Sequence, residues 1–300
     1  MGHGHGHGTG VAHRGRLAVV LALSLTVLVV EVVIGLVTGS LALLADALHM
    51  VTDTAGLAMA LVAIAVAQRP ASDRRTYGYH RTEVLAAGVN GLVLFVLSIV
   101  ILLAAVRRLD EPPEVDGGLV LAAGFLGLVV NLGGLVLLRS GARENLNVRG
   151  AYLEVLGDAL GSVAVIVAAV IVLTTGWARA DPVASIAIAA FLLPRAVSLL
   201  REVVSVLLES TPAGVDLPTL RSHLRALPGV VDVHDLHVWT LTSGMPVMSA
   251  HVVVTDAAMA DAPRVLAALR ACLVDHFDVD HSTFQLESTT HRDSEPHLHH

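Results

Sequence analysis

Two stretches of this sequence set ionisable side chains one helical turn apart within otherwise apolar runs. Asp46, His49 and Asp53 fall in one run, and Glu154 and Asp158 in another. The spacings His49/Asp53 and Glu154/Asp158 are both i, i+4, so each pair shares a helix face, about 6 Å apart along the axis. If the two faces meet, one imidazole and three carboxylates surround a point, a donor set that suits a tetrahedral Zn2+. Neither run contains Arg or Lys, and carboxylates buried together repel unless cations or protons join them. A hydrogen-bonded cluster that only fixes helix packing leaves that repulsion unanswered. The chemistry expected is therefore reversible binding of a divalent metal in exchange for protons.

Elements that position these groups can be read from the same runs. An ionisable residue within a membrane span costs about 2.5–3.5 kcal/mol even on lenient scales, so each one asks for a reason. The chain has 300 residues, 54% of them apolar and 15% charged, with a mean hydropathy of +0.72. Six apolar runs of spanning length are marked, Leu17–Val37, Leu41–Ala67, Val84–Val106, Leu119–Leu138, Ala151–Thr174 and Pro182–Leu200. The expectation is an all-α six-helix transmembrane bundle over residues 16–211. The first run is too long for a signal peptide and no small-residue cleavage pattern follows it. Gly35/Gly39 and Gly157/Gly161 are small-xxx-small pairs suited to close helix packing. Glu31, Asn90 and Asn131 read as interhelical hydrogen-bond points. With a cytoplasmic N-terminus, the inner segments hold eleven arginines, against Arg107, Arg108 and Arg179 outside. Both termini are then cytoplasmic and the chain is a multi-pass protein of a bacterial inner (plasma) membrane, with lipid as its surroundings. The single Cys272 excludes a disulfide framework or a multi-Cys cluster, and no basic stripe supports a nucleic-acid partner.

From about Pro212 the pattern changes. Val215–Leu227 reads as a short helix with Asp216 as cap, Val230–Leu241 and Pro246–Thr255 as strands around a Ser-Gly turn, Asp261–Phe277 as a helix, and Ser282–Glu287 as a third strand. This order predicts a small C-terminal α+β domain over residues 212–288, marginal alone and helped by metal or a partner. Residues 1–15 and 289–300 are His-rich tails, compositional metal binders without a folded role.

Several longer segments carry a resemblance. Gly39 to Asp53, Tyr77 to Glu83, Asn147 to Asp158, Asp181-Pro182 and Val233 to Trp239 resemble, in order, the signatures of the cation diffusion facilitator family of zinc-transporter-like proteins. The resemblance implies proton-coupled efflux of a divalent cation by a homodimer, with a six-span bundle and a ferredoxin-like cytoplasmic domain. It carries the transport ligands onto His49, Asp53 and Asp158. Zinc members usually have His at the fourth position, where this chain has Glu154. An extra carboxylate hardens the site and widens the expected cargo from Zn2+ to Mn2+, Fe2+, Co2+ and Cd2+. The resemblance further implies a regulatory Zn2+ held by His234, His251, His281 and Glu287, with His237 a near substitute, and a charge interlock between Arg81 and Glu209. In the loop between the second and third spans, Arg75 and Tyr79 stand where some members have metal ligands, so no metal is expected there.

Moving a divalent ion out against a negative interior costs about 5 kcal/mol per 100 mV. The sequence holds no Walker-type nucleotide motif, so protons are the expected energy source. Two other classes were weighed. A membrane metalloenzyme needs an open coordination position and a base, and no His-Glu-x-x-His stretch exists; the chain is not expected to be an enzyme. A metal sensor without transport would not need buried carboxylates in its spans.

Overall fold

The computed structural model describes residues 7–139, 146–242, 244–279 and 281–292. Residues 1–6 and 293–300, in the two His-rich tails, lie outside them. The helices α1 (His7–Thr38), α2 (Leu41–Ala67), α3 (Arg81–Arg108), α4 (Gly117–Leu138), α5 (Leu146–Thr175) and α6 (Ala180–Leu207) follow the six apolar runs. Five segments, Val19–Thr38 and those of α3 to α6 from Arg81–Arg108 to Ala180–Leu207, are long and apolar enough to cross a membrane. The remaining long helix, α2, carries Asp46, His49 and Asp53. Outward-facing Val29, Leu36, Phe125, Val136 and Phe191 are well exposed, which in water would be untenable and in lipid is ordinary.

The chain forms two compact units, Met1–Met59 with Val89–Leu199, and Ala60–Gly88 with Leu200–His300. In the first, Leu43, Leu94, Ile101, Val120, Val165 and Leu192 are buried together. Packing is close along α4, where Gly124 and Gly134 meet α5: a Cβ added at either would stand 3.1 Å from Val165 and 3.2 Å from Val155, respectively. Glycine lets the two backbones approach where any side chain would hold them apart. The N-terminus of α2 is fixed by another helix. Gly39, at φ +70°, turns the chain out of α1. Ser40 Oγ donates to Asp181 Oδ1 at 2.5 Å, and the Leu41 amide donates to Asp181 Oδ2 at 2.9 Å. A buried carboxylate thus caps α2 and complements its dipole. Glu31 and Asn131 depart from expectation: they are buried, yet their side-chain oxygen and nitrogen atoms have no hydrogen-bond partner among the described residues.

The second unit contains α7 (Leu217–Arg225), β1 (Val230–Thr242), β2 (Met245–Val254), α8 (Asp256–Ala260), α9 (Ala262–Phe277), β3 (His281–Ser288) and α10 (Thr289–Arg292). The sheet order is β1-β2-β3, with β1/β2 antiparallel and β2/β3 parallel. Leu220 and Leu224 of α7 and Leu269 and Leu273 of α9 cover the sheet through Met248 and Val252. The α-β-β-α-β order is as read from the sequence. The short α8, capped by the Thr255 hydroxyl, was not anticipated. Asp216 caps α7 by accepting from the Thr219 amide at 2.9 Å. Within the same unit Arg81 donates to Glu209 at 2.7 Å and Thr242 Oγ1 donates to Glu83 Oε2 at 2.8 Å.

Candidate metal sites

The i, i+4 faces of α2 and α5 come together in the first unit. His49 Nε2 lies 3.6 Å from Asp53 Oδ2 and 3.8 Å from Asp158 Oδ1. Ligand atoms of His49, Asp53 and Asp158 all fall within 4.8 Å of one another. His49 is 3% and Asp158 7% exposed. Among the described residues, both His49 ring nitrogens and Asp158 Oδ1 lack a hydrogen-bond partner, although a buried polar atom ordinarily has one. Three converging donors, of which His49 and Asp158 hold unsatisfied lone pairs, are what a divalent cation needs. Gly157 faces the imidazole from α5, where a Cβ would stand in ordinary van der Waals contact with His49 Nε2 at 3.6 Å. A cavity of about 170 Å³ opens beside the site, lined by Asp46, His49, Gly157, Gly161, Phe191 and Leu192 among others.

Two neighbours modify the reading from spacing alone. Glu154 is not in the cluster: it sits one turn before Asp158, with its side chain exposed. Arg195, on α6, is in reach of it, with Nη1 donating to Asp53 Oδ2 at 3.4 Å. The acidic faces therefore do meet a cation of the protein, from a third helix. Asp46 is buried against α5 where a side chain on Gly161 would collide with its carboxylate.

The second constellation lies on the sheet. His234 and His251 are cross-strand partners, with ring centroids 5.2 Å apart. Glu287, 2% exposed, reaches both, with Oε2 3.0 Å from His234 Nε2 and Oε1 2.7 Å from His251 Nδ1. Gln285 Nε2 donates to the same carboxylate at 2.8 Å. His281 is a correction. It lies six residues from Glu287 along β3, about 20 Å at the rise of a strand. Its ring instead packs edge-on against Tyr77, centroids 5.7 Å apart. His237 is exposed and contacts Asp235 at 3.0 Å. In the loop before α3, Arg75 donates to the Tyr79 hydroxyl at 2.6 Å and stacks over its ring.

With that geometry in hand, comparison with known proteins is decisive. Residues 17–208 match the cation efflux transmembrane domain, and residues 212–289 the cytoplasmic domain of cation efflux proteins. The chain belongs to the cation efflux family. It is 47% identical over 259 residues to the metal cation efflux system protein CzcD of Cupriavidus metallidurans, covering 86% of this chain and 82% of the relative. Identity to the zinc transporter ZitB of Escherichia coli is 44% over 261 residues, again 86% and 82%. A cadmium, cobalt and zinc/H(+)-K(+) antiporter of Bacillus subtilis is 38% identical over 266 residues, 88% and 85%. The metal-bound C-terminal domain of the CzcD transporter from the first organism matches at 44% identity over 24% of this chain and 99% of its own, with a TM-score of 0.23. This cation efflux family member is thus a membrane transporter by family, not an enzyme. What spacing missed is Arg195; the signal for it was an arginine directly after Pro194 inside the last apolar helix.

Proposed function

We propose that the chain exports a divalent transition metal, Zn2+ first, from the bacterial cytoplasm in exchange for protons. The observation that carries this reading is the buried convergence of His49, Asp53 and Asp158, with both imidazole nitrogens lacking a hydrogen-bond partner among the described residues. Metal binding requires a neutral imidazole and ionised carboxylates, so loading releases protons and protonation releases metal. With the site facing the cytoplasm, His49, Asp53 and Asp158 take the ion. With it facing outward, protons entering down their gradient compete for the same atoms and expel it. That exchange supplies the ~5 kcal/mol per 100 mV which export of a dication requires. The names of CzcD, ZitB and the cadmium, cobalt and zinc antiporter support the same cargo class. Glu154, one turn away, supplies the fourth donor after a change of rotamer, and as a hard oxygen ligand it extends the cargo toward Mn2+, Fe2+ and Co2+.

The working unit in this reading is a homodimer, supported by the match to the family's cytoplasmic domain, with both termini cytoplasmic. His234, His251 and Glu287 hold a regulatory Zn2+; their donor set, two imidazoles and a carboxylate, fits that ion. They lie outside the spans, where an ion needs no cage to cross, so they adjust affinity or dimer closure rather than carry cargo.

The test is zinc-driven proton flux in proteoliposomes. Asp53→Ala and Asp158→Ala should each abolish flux while the protein remains monodisperse. Flux retained in either variant overturns the site. A His234→Ala/His251→Ala double variant should still transport at saturating zinc, with a raised half-saturation concentration.

A further inference from the structure

The second unit brings together three metal-ligating side chains that belong to neither constellation above. His223 lies in the last turn of α7, and Cys272 and His276 are i, i+4 on α9. Ligand atoms of all three fall within 4.8 Å of one another. The His223 and His276 rings are edge-on with centroids 5.2 Å apart, and Phe277 flanks His223 at 5.3 Å. His276 Nδ1 lies 3.2 Å from the Cys272 carbonyl oxygen. A proton on Nδ1 satisfies that contact and leaves Nε2 as a lone-pair donor, the orientation that metal-bound histidines usually show.

We propose that His223, Cys272 and His276 form a further metal site, a Cys-His-His pocket that clamps the end of α7 to the end of α9 around Zn2+ or a similarly thiophilic ion such as Cd2+. One thiolate and two imidazoles suit these ions better than the harder cations. Water completes the four-coordinate shell. Cys272 is 9% exposed, at the margin of the domain core, while His276 is exposed and His223 partly so. An ion therefore approaches from the surface and meets the sulfur last. Only a thiolate ligates, so the S–H bond breaks and one proton leaves to solvent as the metal–sulfur bond forms. The site differs in kind from the other two, which contain no sulfur.

The chain has a single cysteine, which makes the test selective. Reduced full-length protein in detergent is titrated with Co2+, a spectroscopic stand-in for zinc. A thiolate-to-cobalt charge-transfer band in the near ultraviolet should grow saturably and disappear on adding Zn2+. It should be absent in Cys272→Ser and survive in Asp53→Ala and in His234→Ala, whose sites hold no sulfur. His223→Ala and His276→Ala should each weaken cobalt binding at this band by at least about tenfold, the scale seen when metal-site support is lost. Both histidines reach the surface, so these variants keep the test valid if the serine variant fails to fold. No band in the parent protein, or a band with unchanged affinity in both histidine variants, overturns the proposal.

Discussion

Replacing Asp181 by alanine strips the N-terminus of α2 of a capping acceptor from another helix. Two good hydrogen bonds are lost, from Ser40 Oγ at 2.5 Å and the Leu41 amide at 2.9 Å, together with a longer one from the Ala42 amide at 3.4 Å. Asp181 is 3% and Ser40 0% exposed, so water cannot take over. Bonds to charged acceptors contribute about 1.5–3 kcal/mol each, and an N-cap typically about 1. A net loss of about 3 kcal/mol is a moderate reading of those ranges, because the third bond is weak and the cap shares its energy with the first two. At roughly 2–4 °C per kcal/mol, the melting temperature of the detergent-solubilised protein should fall by about 6–12 °C. Asp181→Asn keeps an oxygen acceptor and loses the charge, so it should fall by about half as much. The assay is size-exclusion chromatography after a temperature ramp, read beside zinc transport. His49 follows Leu41 by two turns of the same helix, so half-saturation should rise as the first turn frays. A melting point within about 2 °C of the parent, under 1 kcal/mol on the same conversion, would refute the reasoning.

Under the proposed function, an incoming dication competes with Arg195 for the Asp53 oxygen that its Nη1 reaches at 3.4 Å. Arg195→Gln should therefore lower the zinc half-saturation concentration by about twofold to fivefold, the value of a part-exposed ion pair, with little change in maximal rate; an unchanged value would mean the guanidinium does not guard the site. Glu154→His replaces a hard donor by a borderline one. It should narrow the preference among zinc, manganese, iron and cobalt toward zinc and move the pH profile of flux, and identical profiles for both forms would place Glu154 away from the ion. The Asp216 carboxylate is held below its ordinary range by hydrogen bonds from the Thr219 side chain and amide. A depressed folded-state value means that its stabilisation is present above the unfolded carboxylate value and is lost as pH falls through the folded one. Asp216→Ala should thus lower the melting point near neutrality, and the difference should close under acid conditions.

The bundle was legible because a span must satisfy its backbone within one helix, which makes length and hydropathy sufficient. His49, Asp53 and Asp158 were legible for a related reason. A helix converts i, i+4 spacing directly into a shared face, and the cost of burying charge singles such residues out. Glu154 obeyed the same spacing, yet its side chain is exposed and is not gathered with His49, Asp53 and Asp158. Arg195 was read as a topological charge, because nothing in a sequence says which turn of α6 stands beside which turn of α2. The strands were harder. Six residues are less than two turns of helix but about 20 Å of strand, so His281 and Glu287, close in sequence, fall at opposite ends of β3. The pairing of His223 with Cys272 and His276 is tertiary, and in the sequence Cys272 stood alone.

The strand β1 carries three extra residues relative to its neighbour, at Val230/Asp232, His234/His237 and Thr240/Thr242. Such irregularities re-aim side chains and sharpen twist. They also interrupt the outward row of amide and carbonyl groups, because β1 is an outer strand of the sheet. An uninterrupted outer strand of 13 residues would be a ready template for pairing with another chain. A strand broken in this way is a poorer template for such pairing between copies. Deleting all three extra residues to straighten β1 should yield a domain that folds and then aggregates, which light scattering would detect.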